Sequence, residues 1–245
     1  MSTGQSPAGG LPVLSEAELK QYVVGVNGKD VVWNPMFDSF TYPSAGFTEW
    51  EFFNEGVGAG NTSSPGAGNG KKTIFDTNLR TQNQLSKGIE FYAIGSETIF
   101  QPGVQPTAGT PYALFPIDLE ATAADVGSFI RDMWAVLSGG LKELKINTDR
   151  WYIQDTPLFL FPPSKWFHMV GAFGALTPTT QASVETFELD YSTAAGEPYE
   201  IVPVYIQSNQ QFTLSIKYAA AIATPSGVPG RMIERLRGYR IRQIT

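Results

Sequence analysis

The chain has 245 residues and a formal charge of −6, enough length to bury a substantial core. Hydrophobic residues make up 42% and charged residues only 16%, with sixteen Phe, ten Tyr and five Trp; this excludes wholesale disorder, which needs low hydrophobicity and high net charge. Cysteine is absent and histidine occurs once, which rules out a disulfide framework, a thiolate nucleophile, cysteine-held zinc or iron–sulfur, and any His-rich metal site.

Residues 1–36 are expected to be an extended N-terminal arm, with no basic n-region or apolar h-region of a secretory signal in MSTGQSPAGG. Within it Tyr22–Val26, Asn27-Gly28 and Asp30–Trp33 predict a hairpin, because Asn-Gly supplies the two positive φ values of a type I′ turn. Residues 37–88 are read as a loop region leading into the fold. They comprise the aromatic stretch FDSFTYPSAGFTEWEFF, the run NEGVGAGNTSSPGAGNG with six Gly, and a short strand candidate, KTIFDTNL.

Residues 89–245 are expected to form the main domain. Strand candidates are GIEFYAIGSETIF, YALFPIDLE, LKELKIN, RWYIQ, PLFLF, SVETFELDY, YEIVPVYIQ, QQFTLSIKYAAAI and MIERLRGYRIRQI. In the penultimate one, Phe212, Leu214, Ile216 and Tyr218 alternate with polar residues, the mark of a half-buried strand. Pro203 sends its strand to an edge or a bulge. One helix interrupts them, opened by Thr122 and Asp125 and closed by Gly139-Gly140. Its predicted core face carries Phe129, Ile130, Met133 and Trp134, with Val126 and Leu137; Asp125, Ser128, Arg131 and Asp132 form the polar face. No internal repeat appears, and no run of 18 apolar residues that would span a membrane as a helix. The expectation is an all-β chain, an antiparallel eight-stranded jelly-roll sandwich of one roll, with one inserted amphipathic helix and long loops.

Most candidate chemistry dissolves on inspection. PGAGNGKKT (65–73) has Pro65 where a phosphate loop needs its first Gly, Lys72 where it needs Ser or Thr, and no helix after it. His168 lacks a recognisable nucleophile or orienting carboxylate nearby in sequence. Glu188 and Asp190 share a strand face and could serve a glycan-cleaving enzyme or a calcium site, but a solvated strand face gives the same spacing. The expectation is a non-enzymatic protein with no cofactor and no small-molecule substrate.

The last fifteen residues carry five Arg against one Glu, whereas the other 230 carry twelve Lys and Arg against twenty-two Asp and Glu. Arg235 and Arg237 share a face by alternation. A bulge at Gly238 would bring Arg240 and Arg242 onto the same face, with Leu236, Tyr239 and Ile241 pointing inward. Such a row suits nucleic-acid or lipid phosphate, or acidic carboxylates within or between subunits, the latter for at least two of the four.

Several stretches carry a family likeness: YPSAGFTEWEFF with the Gly-rich loop after it, KTIFDTNLRTQNQLSKGIEFYAIGSETIF, KINTDRWYIQDTPLFLFPP, IVPVYIQSNQQFTLSIKY and RLRGYRIRQI. Over residues 38–245 the chain resembles the jelly-roll major capsid proteins of tailless icosahedral bacteriophages, particularly the lipid-containing ones. The resemblance implies a structural virion protein located in the capsid. It would assemble in the host cytoplasm into homo-oligomeric capsomers, beside other capsid proteins, and contact genome or internal membrane from below. Many members have two rolls per chain, and the absence of duplication here favours one. The absence of Cys suits assembly in a reducing cytoplasm. A carbohydrate-binding, lectin-like or receptor-binding β-sandwich is the alternative, with Trp33, Trp50 and Trp166 placed in or near loops where they could stack on sugars.

Overall fold

The computed structural model describes residues 17–18, 29–59, 71–74, 76–102, 123–147, 150–162, 168–174, 184–190 and 199–243. Its strands are β1 (Lys29–Trp33), β2 (Met36–Tyr42), β3 (Glu49–Phe52), β4 (Ile89–Gln101), β5 (Gly140–Ile146), β6 (Arg150–Pro157), β7 (His168–Gly174), β8 (Val184–Asp190), β9 (Tyr199–Ile206), β10 (Phe212–Tyr218) and β11 (Gly230–Gln243). One helix, α1 (Ala123–Gly139), stands between β4 and β5. The chain is mostly β and its sheets are antiparallel. Among the described residues no helix is long and apolar enough to cross a membrane.

The first sheet runs β1-β11-β4-β9, and β2 joins it by pairing with the first half of β11. The second runs β3-β10-β5-β6, while β7 and β8 form a separate two-stranded ribbon. The side chains between the two sheets follow the period-2 rule. Phe212, Leu214, Ile216 and Tyr218 of β10 are all buried, as alternation predicts. Met232 and Leu236 of β11, Phe91 and Phe100 of β4, and Met36, Phe40 and Tyr42 of β2 meet them from the first sheet. Each such side chain contributes about 1.5–3 kcal/mol by leaving water. Pro203 lies in β9, an edge strand whose pairing with β4 is irregular around it, as a residue with no N–H to donate requires.

Four readings of the sequence need correction. Residues 29–52 are integral to the sheets rather than an arm and a lead-in: β1 and β2 pair with β11, and β3 pairs with β10. The physical reason is that the closing strands β10 and β11 need partners on both sides. The aromatic stretch supplies one, with Met36, Asp38, Phe40 and Tyr42 inside. Among the described residues of 72–79 there is no strand; the Thr73 N–H and hydroxyl instead donate to the Asp76 carboxylate at 2.7 and 2.8 Å. In PLFLF, Leu158–Leu160 is a 3-10 turn, with Leu158 and Phe161 buried and Phe159 exposed, a spacing of three rather than two.

The fourth correction concerns α1. Ile130, Met133, Val136 and Leu137 are buried, but Trp134 is 71% exposed. The buried arc is centred near Met133 and Val136, and at 100° per residue Trp134 falls outside it. Asp132, assigned to the polar face, is fully buried at the arc's other margin. There it accepts hydrogen bonds from Ser226 N at 2.8 Å and Ser226 Oγ at 2.6 Å. The Phe129 side chain, the 22–28 half of the hairpin, the 60–70 loop and YALFPIDLE lie outside the described residues.

Candidate functional site

The arginine-rich β11 was the strongest functional signal in the sequence, and the structure divides its arginines between two faces. Consecutive residues Arg237 and Gly238 pair with Gly95 and Ala93 of β4. The extra residue at this bulge is therefore Ile94, on β4, and β11 keeps strict alternation through Gly238. Residues paired across antiparallel strands share a face. Met232 and Leu236 face the main core, and Arg240, opposite the buried Phe91, has that same orientation. Tyr239 and Ile241 lie on the outer face, in a small cluster with Val31 and Tyr92. The single row of four guanidiniums is thus corrected to two pairs: Arg235 and Arg237 outward, Arg240 and Arg242 inward. Gly238 is required for another reason: a Cβ there would come within 2.0 Å of the Tyr92 carbonyl oxygen.

Each pair meets a distinct environment. Arg235 donates through Nε to Glu97 Oε2 at 2.5 Å, and Arg237 through Nη1 to Glu97 Oε1 at 3.2 Å. Glu97 is fully buried and sits directly opposite Arg235 on β4. Trp33 lies beside this group, its ring 5.3 Å from the Arg237 guanidinium carbon and edge-on to Tyr239 at 5.2 Å. On the inner-facing row, Arg242 is held by Asp30 of β1 at 2.9 Å. Arg240 is half-buried, and its Nε is buried without a hydrogen-bond partner. Burial, and after it the charge of Arg80, lowers the pKa of Arg240. The expectation that at least two of the four arginines meet protein carboxylates agrees with this geometry, in which three of them pair with two carboxylates, Glu97 and Asp30.

Beneath β11 lies a buried ionic layer that sequence reading missed. Lys142 of β5 and Glu234 of β11 meet across the two sheets at 2.6 Å, both fully buried. Ser96 accepts from Lys142 at 2.9 Å, Thr98 donates to Glu234 at 2.6 Å, and the Phe161 ring lies 4.3 Å from the ammonium. Beside it in register, Asp38 of β2 is held by Lys72 at 2.7 Å and by the Phe53 N–H at 2.6 Å. Lys72, from the failed phosphate-loop motif, therefore has a structural partner. Burial raises the pKa values of Asp38, Glu234 and Asp132 and lowers that of Lys142. The only sequence signal for this layer is a charged residue at an inward position of an alternating strand, as at Asp38 and Glu234.

The remaining candidates are placed as follows. β7 and β8 bring His168 opposite Asp190, and Glu188 opposite Val170, in backbone register. Trp33 is the last residue of β1 and Trp50 the second of β3, so both lie in strands next to loops; Trp50 stacks on Phe40 at 4.4 Å, and Trp166 lies outside the described residues. Among the described residues no group of three or more His, Asp or Glu is arranged to hold a metal ion. Comparison of the chain with protein-family models, curated proteins and solved structures gives no match.

Proposed function

We propose that the chain is a structural virion protein, a major capsid protein that self-assembles into capsomers of an icosahedral shell, and that its scaffold is a single eight-stranded jelly roll. The observation that carries this reading is the strand order. Setting aside β1 and the β7–β8 ribbon leaves eight strands: β2, β3, β4, β5, β6, β9, β10 and β11. Counted one to eight in chain order, they are arranged 1-8-3-6 in one sheet and 2-7-4-5 in the other. That interleaving is what two nested Greek keys produce, as in viral capsid jelly rolls. On this reading α1 is an insertion between the third and fourth strands, and β7–β8 one between the fifth and sixth.

The fold alone does not fix function, because lectins and cupins share it. The surface supports the shell. Trp134, Ile74, Phe159 and Trp151 are exposed on a chain with only 16% charged residues, the composition of a protein whose sides are covered by neighbours. Asp38, Lys142, Glu234 and Asp132, charged residues whose pKa values burial shifts, are buried inside, where no substrate reaches them. The capsid reading therefore involves no enzyme activity, with copies of itself and other capsid proteins as partners. Sedimentation velocity and negative-stain microscopy of the purified protein test it. Particles of megadalton mass are expected; a stable monomer that binds glycans would replace this reading with the lectin-like one.

A further inference from the structure

We propose that Lys72 and Asp38 become joined by an amide bond, an isopeptide cross-link that the folded chain forms on itself. Lys72 Nζ lies 2.7 Å from Asp38 Oδ1, and the two side chains are 3% and 0% exposed. Backbone pairing delivers the lysine: the Gly58 N–H donates to the Lys72 carbonyl at 2.8 Å, and the Lys72 N–H to the Ala59 carbonyl at 3.0 Å. The second carboxylate oxygen, Oδ2, accepts the Phe53 N–H at 2.6 Å. Phe53 has a positive φ of 62°, a conformation that a bulky residue adopts only when its surroundings impose it. The backbone is therefore strained at the residue whose N–H is aimed at this carboxyl group. The inference does not depend on the capsid reading.

The Lys142–Glu234 pair is surrounded differently. Lys142 also donates to Ser96 and lies over the Phe161 ring, and both contacts favour the ammonium form. Among the described residues, Asp38 Oδ1 is the one acceptor that Lys72 Nζ meets. A dry site disfavours both charges, and a proton passed from the ammonium to Oδ1 leaves a neutral amine beside a neutral acid. The upward push of burial on the Asp38 pKa agrees with this transfer. The amine lone pair then attacks Cγ, and the C=O electrons move onto Oδ2, where the Phe53 N–H stabilises the charge. When those electrons return, the Cγ–Oδ1 bond breaks, and Oδ1 leaves as water with its own proton and one more from Nζ. Of the three ammonium hydrogens, one stays on the amide and two depart in the water, so no co-reactant is needed. Reactants held in contact reach effective concentrations of about 10⁵ M or more. Exclusion of solvent protects the product from hydrolysis. The bond closes a 34-residue span of chain that contains β3.

Intact-mass spectrometry of the purified full-length chain, denatured before measurement, tests the bond. The wild type is expected to be lighter by one water than its sequence requires, and Lys72→Arg is expected to have its full mass. Arginine keeps the positive charge opposite Asp38 but has no amine that can be freed for attack. The mass is read on denatured chains, so a loss of stability in the variant does not obscure the result. Peptide mapping locates the bond: a proteolytic digest should contain one branched peptide that includes both Asp38 and Lys72, in place of two linear ones. A wild-type chain of full mass overturns the proposal. Water loss that persists in Lys72→Arg, or a dehydrated chain whose peptides are all linear, overturns it as well, since either places the loss elsewhere.

Discussion

Lys142 of β5 and Glu234 of β11 meet between the sheets at 2.6 Å, with neither side chain exposed to water. Removing one partner strands the other charge in the interior. Lys142→Met should therefore destabilise the chain by about 3–5 kcal/mol, whereas Lys142→Met with Glu234→Leu should recover most of that loss. Urea denaturation of the two variants measures both. Equal stability of the single and double variants would show that the pair is not coupled.

Asp132 gives a pH signature. Burial raises its pKa in the folded chain, against the opposing hydrogen bonds from Ser226. The folded state thus holds a proton that the unfolded state has released in the window above the ordinary value of about 4. Stability from this group falls as pH rises through that window and is regained on acidification. Relative to Asp132→Asn, wild type should gain stability as pH is lowered from neutrality toward about 4. Parallel stability curves for the two proteins would exclude a buried, proton-linked Asp132.

Gly238→Ala places a methyl group within 2.0 Å of the Tyr92 carbonyl oxygen, a backbone atom that cannot swing aside. A loss of about 2 kcal/mol or more is expected, since β4 and β11 must separate locally. Gly227→Ala is a useful contrast: its site is open, and only the positive φ of 74° opposes the substitution. It should cost about 1 kcal/mol.

Glu97→Gln tests the outward arginine pair. The buried carboxylate is replaced, while Arg235 and Arg237 stay partly wet and can reach solvent. The expected loss is about 2–3 kcal/mol, smaller than for the Lys142 pair because the stranded charges are not sealed. The loss should change little between low and high salt, as a buried carboxylate is poorly screened.

Truncation separates the arm from the fold. β1 pairs with Tyr239–Gln243, buries Val31 and binds Arg242 through Asp30. Deleting residues 1–36 should thus lower the melting temperature of the subunit, and not only impair assembly. A shortened chain with wild-type stability would return residues 1–36 to the role of an extended arm outside the fold.

How much of this was legible depended on whether a strand obeyed alternation without interruption. β10 did, and its inward residues were readable one by one. β2 did not announce itself because Asp38 holds an inward position that only its lysine partner makes tolerable. The arginine phase went wrong for a related reason. A glycine in β11 drew the bulge to itself, whereas the extra residue lies across the ladder, beside Gly95 of β4, where the sequence IGSET carried the same kind of signal. In α1 the misplaced residues were Trp134 and Asp132, at opposite margins of the buried arc. Side-chain polarity argues for the reverse assignment, and the Ser226 contact that decides it is 94 residues away in sequence.

β11 is the last strand of the chain, and it separates β4 on one side from β1 and β2 on the other. The first sheet therefore cannot close until residues 230–243 have been made. Until then β2 and β4 keep open edges, and every contact that joins them spans most of the sequence length. Formation of this sheet is consequently slow compared with that of local helical folds. Loss of Gly230–Gln243 removes the element that unites β1 and β2 with β4.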